Sequence, residues 1–150
     1  MNGGKRRVST AIAGFFLATL LGGCSIGGPT GQERADELAN QLEKGGLGVS
    51  KADAIYLSSF SGDLSLTVVV EPDAVQPGYT VSAETLAPIL GTVARSAVEM
   101  GVPAVVIYTE EEGGIDVSIV GAARELGISE AINGNSLHLT GERLDSLAEQ

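Results

Sequence analysis

One arrangement of residues occurs twice, and it narrows the fold of this chain more than any single motif. Gly48-Val49, Ile55-Tyr56 and Leu64-Ser65-Leu66 return as Gly101-Val102, Ile107-Tyr108 and Val117-Ser118-Ile119, at offsets of 53, 52 and 53 residues. Each copy reads as a helix that stops at glycine, a strand led by valine, a polar turn and a second strand. Duplication of one unit accounts for the recurrence, and so does the shared composition of two similar units. Either origin predicts the element order α-β-β-α-β-β.

The first predicted helix covers residues 31–44. Thr30-Gly31-Gln32-Glu33 has the spacing of a capping box, Ala35, Leu38, Ala39 and Leu42 share one face, and Gly45-Gly46 ends the run. The stretch LSLTVVV at 64–70 is the strongest strand signal and pairs with residues 51–56 as a hairpin. Leu86, Ile89, Leu90, Val93, Ala97 and Met100 then fall at helical spacing, with Ser82 or Thr85 as the cap and Gly101 as the stop. Pro88 fits the first turn of this helix if Thr85 is the cap. Residues 102–108 read as a strand, 110–114 as a turn and 115–120 as its alternating partner. A short C-terminal extension follows: a helix near 122–126, a tight turn at Asn133-Gly134, an edge strand at 136–140 and a helix at 142–149 with Leu144 and Leu147 inward. The predicted architecture is α+β, a two-layer sandwich with an antiparallel sheet and both helices on one face, similar to ferredoxin-like folds.

Composition excludes some functions. Hydrophobic residues make up 43% of the 150 and charged residues 19%, the balance of one globular domain. With three Tyr, three Phe and no Trp, the core is aliphatic and platforms for stacking bases are scarce. From residue 24 onward six Lys and Arg face all 19 Asp and Glu, a formal balance of −13. Such a surface repels phosphate backbones, so no nucleic-acid partner is expected.

The first residues read as an address. Lys5-Arg6-Arg7 precedes an uncharged, mostly apolar run at 8–21, the pattern of a secretory signal peptide. The run is shorter than the ~20 residues a spanning helix needs, and the Gly-rich, polar stretch at 22–31 ends it. Arg6-Arg7 is compatible with twin-arginine export, although the residues after the pair lack that signal's apolar pattern. Leu21-Gly22-Gly23-Cys24 resembles the lipobox of bacterial lipoproteins. The resemblance implies that a diacylglyceryl group is attached to the Cys24 sulfur and that the chain is cut just before it. On that reading residues 1–23 are a lipoprotein signal peptide, 24–30 a lipidated flexible tether and 31–150 a single small domain. The implied location is the extracytoplasmic face of the cell membrane, with the membrane itself a partner through the lipid. Cys24 is the only cysteine, so an intramolecular disulfide and a thiolate metal site are both excluded.

Within the domain no catalytic constellation stands out, and neither a cofactor nor a metal site is expected. His138 is the only histidine, and alternation puts it opposite Leu137 and Leu139, toward solvent. Glu110, Glu111 and Glu112 with Asp116 offer carboxylates to a hard cation, but consecutive glutamates diverge and the spacing is not that of a calcium loop. Ser58, Ser59 and Ser61 lack a nucleophile elbow. Gly45-Gly46-Leu47-Gly48 follows a helix, the wrong order for cradling phosphate at a helix N-terminus. The residues favour a non-enzymatic envelope module that binds a protein, wall component or small ligand, or serves as a spacer. The alternative is an envelope enzyme, hydrolytic or metal-assisted, using Asp63 and Asp116 with His138.

Overall fold

The computed structural model describes residues 30–58 and 62–150. The predicted signal peptide, Cys24, most of the tether, Ser59 and Ser61 lie outside the described residues.

Helix α1 (Gly31–Lys44) begins with the capping box expected of it. The Glu33 N–H donates to Thr30 Oγ1 at 3.2 Å and the Thr30 N–H donates to Glu33 Oε2 at 2.6 Å, so two N–H groups that a helix start leaves without partners are satisfied. Ala35, Leu38 and Leu42 are buried. Strands β1 (Val49–Leu57) and β2 (Asp63–Val70) then form an antiparallel hairpin in which Leu57 faces Asp63 and Val49 faces Val70. Along β2 the alternation predicted from LSLTVVV is complete: Leu64, Leu66, Val68 and Val70 are fully buried, and the residues between them turn to the opposite face. Each of these side chains contributes about 1.5–3 kcal/mol through burial.

A two-stranded ribbon, β3 (Val75–Gln76) with β4 (Thr80–Val81), leads into helix α2 (Ala83–Met100). The cap is Ser82, whose Oγ accepts from the Thr85 N–H at 3.1 Å, so Pro88 stands inside the helix rather than in its first turn. Gly101 closes α2 in the left-handed conformation at φ 69°.

Strand β5 (Ala104–Glu111) pairs with β2 in parallel, Leu64 beside Val105 and Val70 beside Glu111. The sheet is therefore mixed, which corrects the antiparallel sheet expected from two hairpins. The reason lies in the connection: an 18-residue helix supplies the long crossover that returns the chain in the direction of β2. A second correction concerns residues 115–120. Only β6 (Ile115–Asp116) pairs with β5, and helix α3 (Val120–Glu125) already begins at Val120. Between them Val117 and Ile119 are fully buried without continuing the sheet. The Val117 N–H donates to Thr109 O at 2.9 Å, Thr109 Oγ1 donates to Val117 O at 2.6 Å, and Ser118 exchanges backbone bonds with Tyr79 and Val81.

The place beside β5 left open by this turn is taken by β8 (Ser136–Thr140), antiparallel to β5 from Ala104 to Ile107 and hairpinned to β7 (Ile132–Asn133). The predicted C-terminal extension is thus part of the sheet, whose order is β1-β2-β5-β8-β7. Helix α4 (Gly141–Ala148) follows, with Leu144 and Leu147 buried as expected. One hydrophobic cluster joins the helices to Leu64, Leu66, Val68, Val70, Val105 and Ile107, and among the described residues it has no counterpart on the opposite sheet face, where Ser65, Thr67, Val69 and Val106 are partly exposed. The free edge of β1 is protected by α1. Gln32 Nε2 donates to Ala54 O at 2.8 Å, Gln32 Oε1 accepts from the Tyr56 N–H at 2.9 Å, and Glu43 Oε1 accepts from the Ala52 N–H at 2.9 Å. These side chains occupy backbone groups that a further strand would otherwise use.

Candidate functional site: a groove between α2 and α4

The sheet register disperses the carboxylates and histidine of the enzyme alternative. Asp63 opens β2, one residue before the Leu64–Val105 pair, whereas Asp116 faces Glu110 near the far end of β5. Six residues of strand separate their rows, roughly 20 Å at strand rise. His138 faces Val106 on the uncovered side, about 13 Å along the strand from the Glu110 row. A cavity of about 190 Å³ is lined by Asp116 together with Tyr108, Thr109, Asn133, Asn135 and Ser136, and neither Asp63 nor His138 reaches it. Glu110 and Glu111 are half-buried at the end of β5, and Glu112 is exposed in the turn. Among the described residues no group of three His, Cys, Asp or Glu is placed to hold a metal ion. Ser58 is exposed just beyond the end of β1. Gly45, Gly46 and Gly48 bridge α1 to β1, with Gly46 and Gly48 at positive φ, as a helix-ending segment requires.

A concave surface forms instead on the helical layer. Its volume is about 480 Å³, within the range of small-molecule sites. Helix α2 supplies Ala87, Pro88, Gly91 and Arg95 as one stripe, with Leu47 from the α1–β1 connection and Leu126 and Leu147 from beside α3 and from α4 as walls. Positions 88, 91, 92 and 95 follow helical spacing, so these residues face one way. The concavity has a local cause. Gly91 has no side chain, Ala87 and Pro88 have short ones, and the neighbouring leucines stand higher. Gly91 costs the helix about 1 kcal/mol relative to alanine, and a Cβ there would come within 3.4 Å of Arg95 Nη1.

Among the described residues, Arg95 has the only charged side chain lining this groove. It is exposed, makes no ion pair among the described residues, and contacts Thr92 Oγ1 at the long distance of 3.5 Å. A guanidinium beside a leucine-lined trough is suited to an apolar group that ends in an anion, since its forked donors match a carboxylate. A second depression, of about 360 Å³ between α1 and α2, differs in kind: Arg34 is accompanied by Glu37 and Glu99. Reasoning from sequence did not single out the α2 groove. The available signals were a glycine in the middle of a strongly periodic helix and one basic residue on the same face, four positions later.

No helix among the described residues is long and apolar enough to cross a membrane. In comparisons with known proteins, no family model, no curated protein and no solved structure matches this chain.

Proposed function

We propose that this chain is a lipid-anchored, extracytoplasmic lipoprotein of the bacterial cell envelope, acting as a non-enzymatic binding module whose ligand lies in the groove between α2 and α4. Cys24 in its lipobox supports the anchor, and the dispersal of Asp63, Asp116 and His138 favours binding over catalysis. The ligand class is an amphipathic carboxylate, its chain along Ala87, Pro88 and Gly91 and its head at Arg95. One observation carries this choice: among the described residues the groove holds a single guanidinium, without an ion-pair partner, in a domain whose formal balance is −13. Architecturally, the helical layer over one sheet face supports a resemblance to ferredoxin-like sandwiches.

The test uses laurate as the probe. Titration followed by amide and guanidinium NMR shifts should saturate and map to Gly91, Thr92, Arg95 and Leu147, and Arg95→Gln should weaken binding with the fold retained. Absence of saturable shifts, or shifts that Arg95→Gln leaves unchanged, rejects the groove as the site. The anchor is checked separately by the intact mass of membrane-extracted protein. A chain starting at Cys24 with added diacylglyceryl mass is expected, and one starting later, or starting at Cys24 without lipid, rejects the lipoprotein reading.

A further inference from the structure

The first described residues are fastened to one end of the sheet. Thr30 caps α1, and the next residue, Gly31, packs so closely on Tyr56 that a Cβ there would lie 2.4 Å from the ring. Gly62, at φ 72°, meets the same side chain from the hairpin turn, with its Cβ position 2.9 Å from the Tyr56 hydroxyl. Gln32 then bonds in both directions to the β1 edge, at Ala54 O and the Tyr56 N–H. Chain entry is therefore fixed beside residues 54–57. On the side of β1 away from the core, Ile55 and Leu57 are 49% and 47% exposed. Six peptide units separate Cys24 from Thr30, a reach of at most about 20 Å.

The opposite end of the sheet has a different character. Val70 and Glu111 are neighbours there, seven residues along β2 from Asp63, about 23 Å away. Glu71, Asp73 and Glu84 gather around one shallow cavity at this end, and Glu110 and Glu111 complete β5 beside them. Both ends carry carboxylates and half-exposed apolar side chains, since Asp63 faces Leu57, Glu33 bonds to Thr30 and Ile115 stands beside Glu111. The difference is density, with five carboxylates at the second end for an anionic bilayer to repel and Ile55 and Leu57 together at the first to lose water-exposed apolar area on entering an interface.

We infer that the domain stands on its β1–α1 end, with Ile55 and Leu57 against the lipid surface and the Glu110–Glu111 end held away from it. This rests on lipidation of Cys24 and adds an orientation to it. Two apolar side chains would not hold a soluble domain on a bilayer, but the tether keeps them at high local concentration beside one. The α2 groove, which shares Leu47 and Pro88 with the cavity at the acidic end, then lies toward the side held away from the lipid.

The experiment uses full-length protein extracted from membranes and reconstituted in phosphatidylcholine vesicles containing a nitroxide-headgroup lipid. Leu57→Cys and Ile115→Cys variants carry an NBD fluorophore; Ile115 is 50% exposed and sits at the acidic end. Loss of fluorescence at position 57 and none at 115 is the expected result. Equal loss at both, greater loss at 115, or loss at neither overturns the orientation. Loss at 57 that follows protein density rather than nitroxide content means that a second copy covers the patch, and overturns it too. Labelling of Cys24 signals that the anchor reading has failed. Coupling that thiol to a maleimide phospholipid then supplies the anchor chemically, and the comparison between 57 and 115 is read unchanged.

Discussion

The two halves of the sheet begin alike and finish differently. In each, a helix ends at glycine and a valine leads toward a strand, β1 in the first half and β5 in the second. The first half then closes directly, with Leu57 facing Asp63 and β2 running the full length of its partner. The second half pairs two residues in β6, turns inward at Val117, forms α3 and β7, and only then returns as β8. Alternation alone did not decide which segment became a strand. Residues 64–70 have strand partners on both sides, whereas Val117 and Ser118 find theirs in the Thr109 carbonyl and hydroxyl and in the β3–β4 ribbon. A half-buried alternating run takes whichever hydrogen-bond partners and apolar cover the rest of the chain brings to it.

Three perturbations bear on this contrast. The largest effect is expected where the halves meet. Leu66 and Ile107 are fully buried and directly opposed across the parallel β2–β5 pair. Leu66→Ala and Ile107→Ala should each cost about 2–5 kcal/mol in urea unfolding. Their double mutant should depart from additivity by roughly 0.5 kcal/mol or more, as for residues in contact. Additive values would show that the halves are energetically separate units. A smaller loss, about 1–2 kcal/mol, is expected for Thr109→Val, which removes the buried hydroxyl bonded to Val117 O. Amide exchange should quicken at Val117 and Ser118 while β2 is unaffected; uniform quickening would mean that this turn unfolds only with the whole domain.

The smallest effect concerns Glu130, paired with Arg143 across the second half. A hydrogen bond from its own backbone N–H is the largest influence on its carboxyl; partial desolvation opposes it, and the hydrogen bond and charge of Arg143 add to it, so the carboxyl is held below the usual range. A lowered folded value means that the stabilisation is present above the unfolded carboxylate range and is lost as pH falls through the folded value. Glu130→Gln should therefore lower Tm slightly at neutral pH and leave it unchanged once the carboxyl is protonated. An equal shift at both pH values would assign the effect to packing instead.

Much of the helical layer was legible residue by residue. Thr30 and Glu33 announce α1, Gly101 ends α2, and Leu64 to Val70 announce β2, because capping and alternation are short-range properties with few ways to be satisfied. The fate of residues 115–120 was not legible, since Thr109 and Tyr79 reach them only after α2 has crossed the sheet. The groove was hidden for a related reason: Gly91 and Arg95 belong to one helix, but Leu47, Leu126 and Leu147 become its walls through packing from three other segments.

Local chemistry in the chain was enough to specify its helices, its first hairpin, a strongly acidic composition, and a lone Cys24 in a lipobox-like setting. The parallel join of β2 to β5, the recruitment of β8 into the sheet, the Tyr56 contact that fixes chain entry, and the concavity at Gly91 arose only on folding. Each depends on surfaces far apart in sequence, and what such surfaces gain by meeting is settled by competition among all the partners available to them.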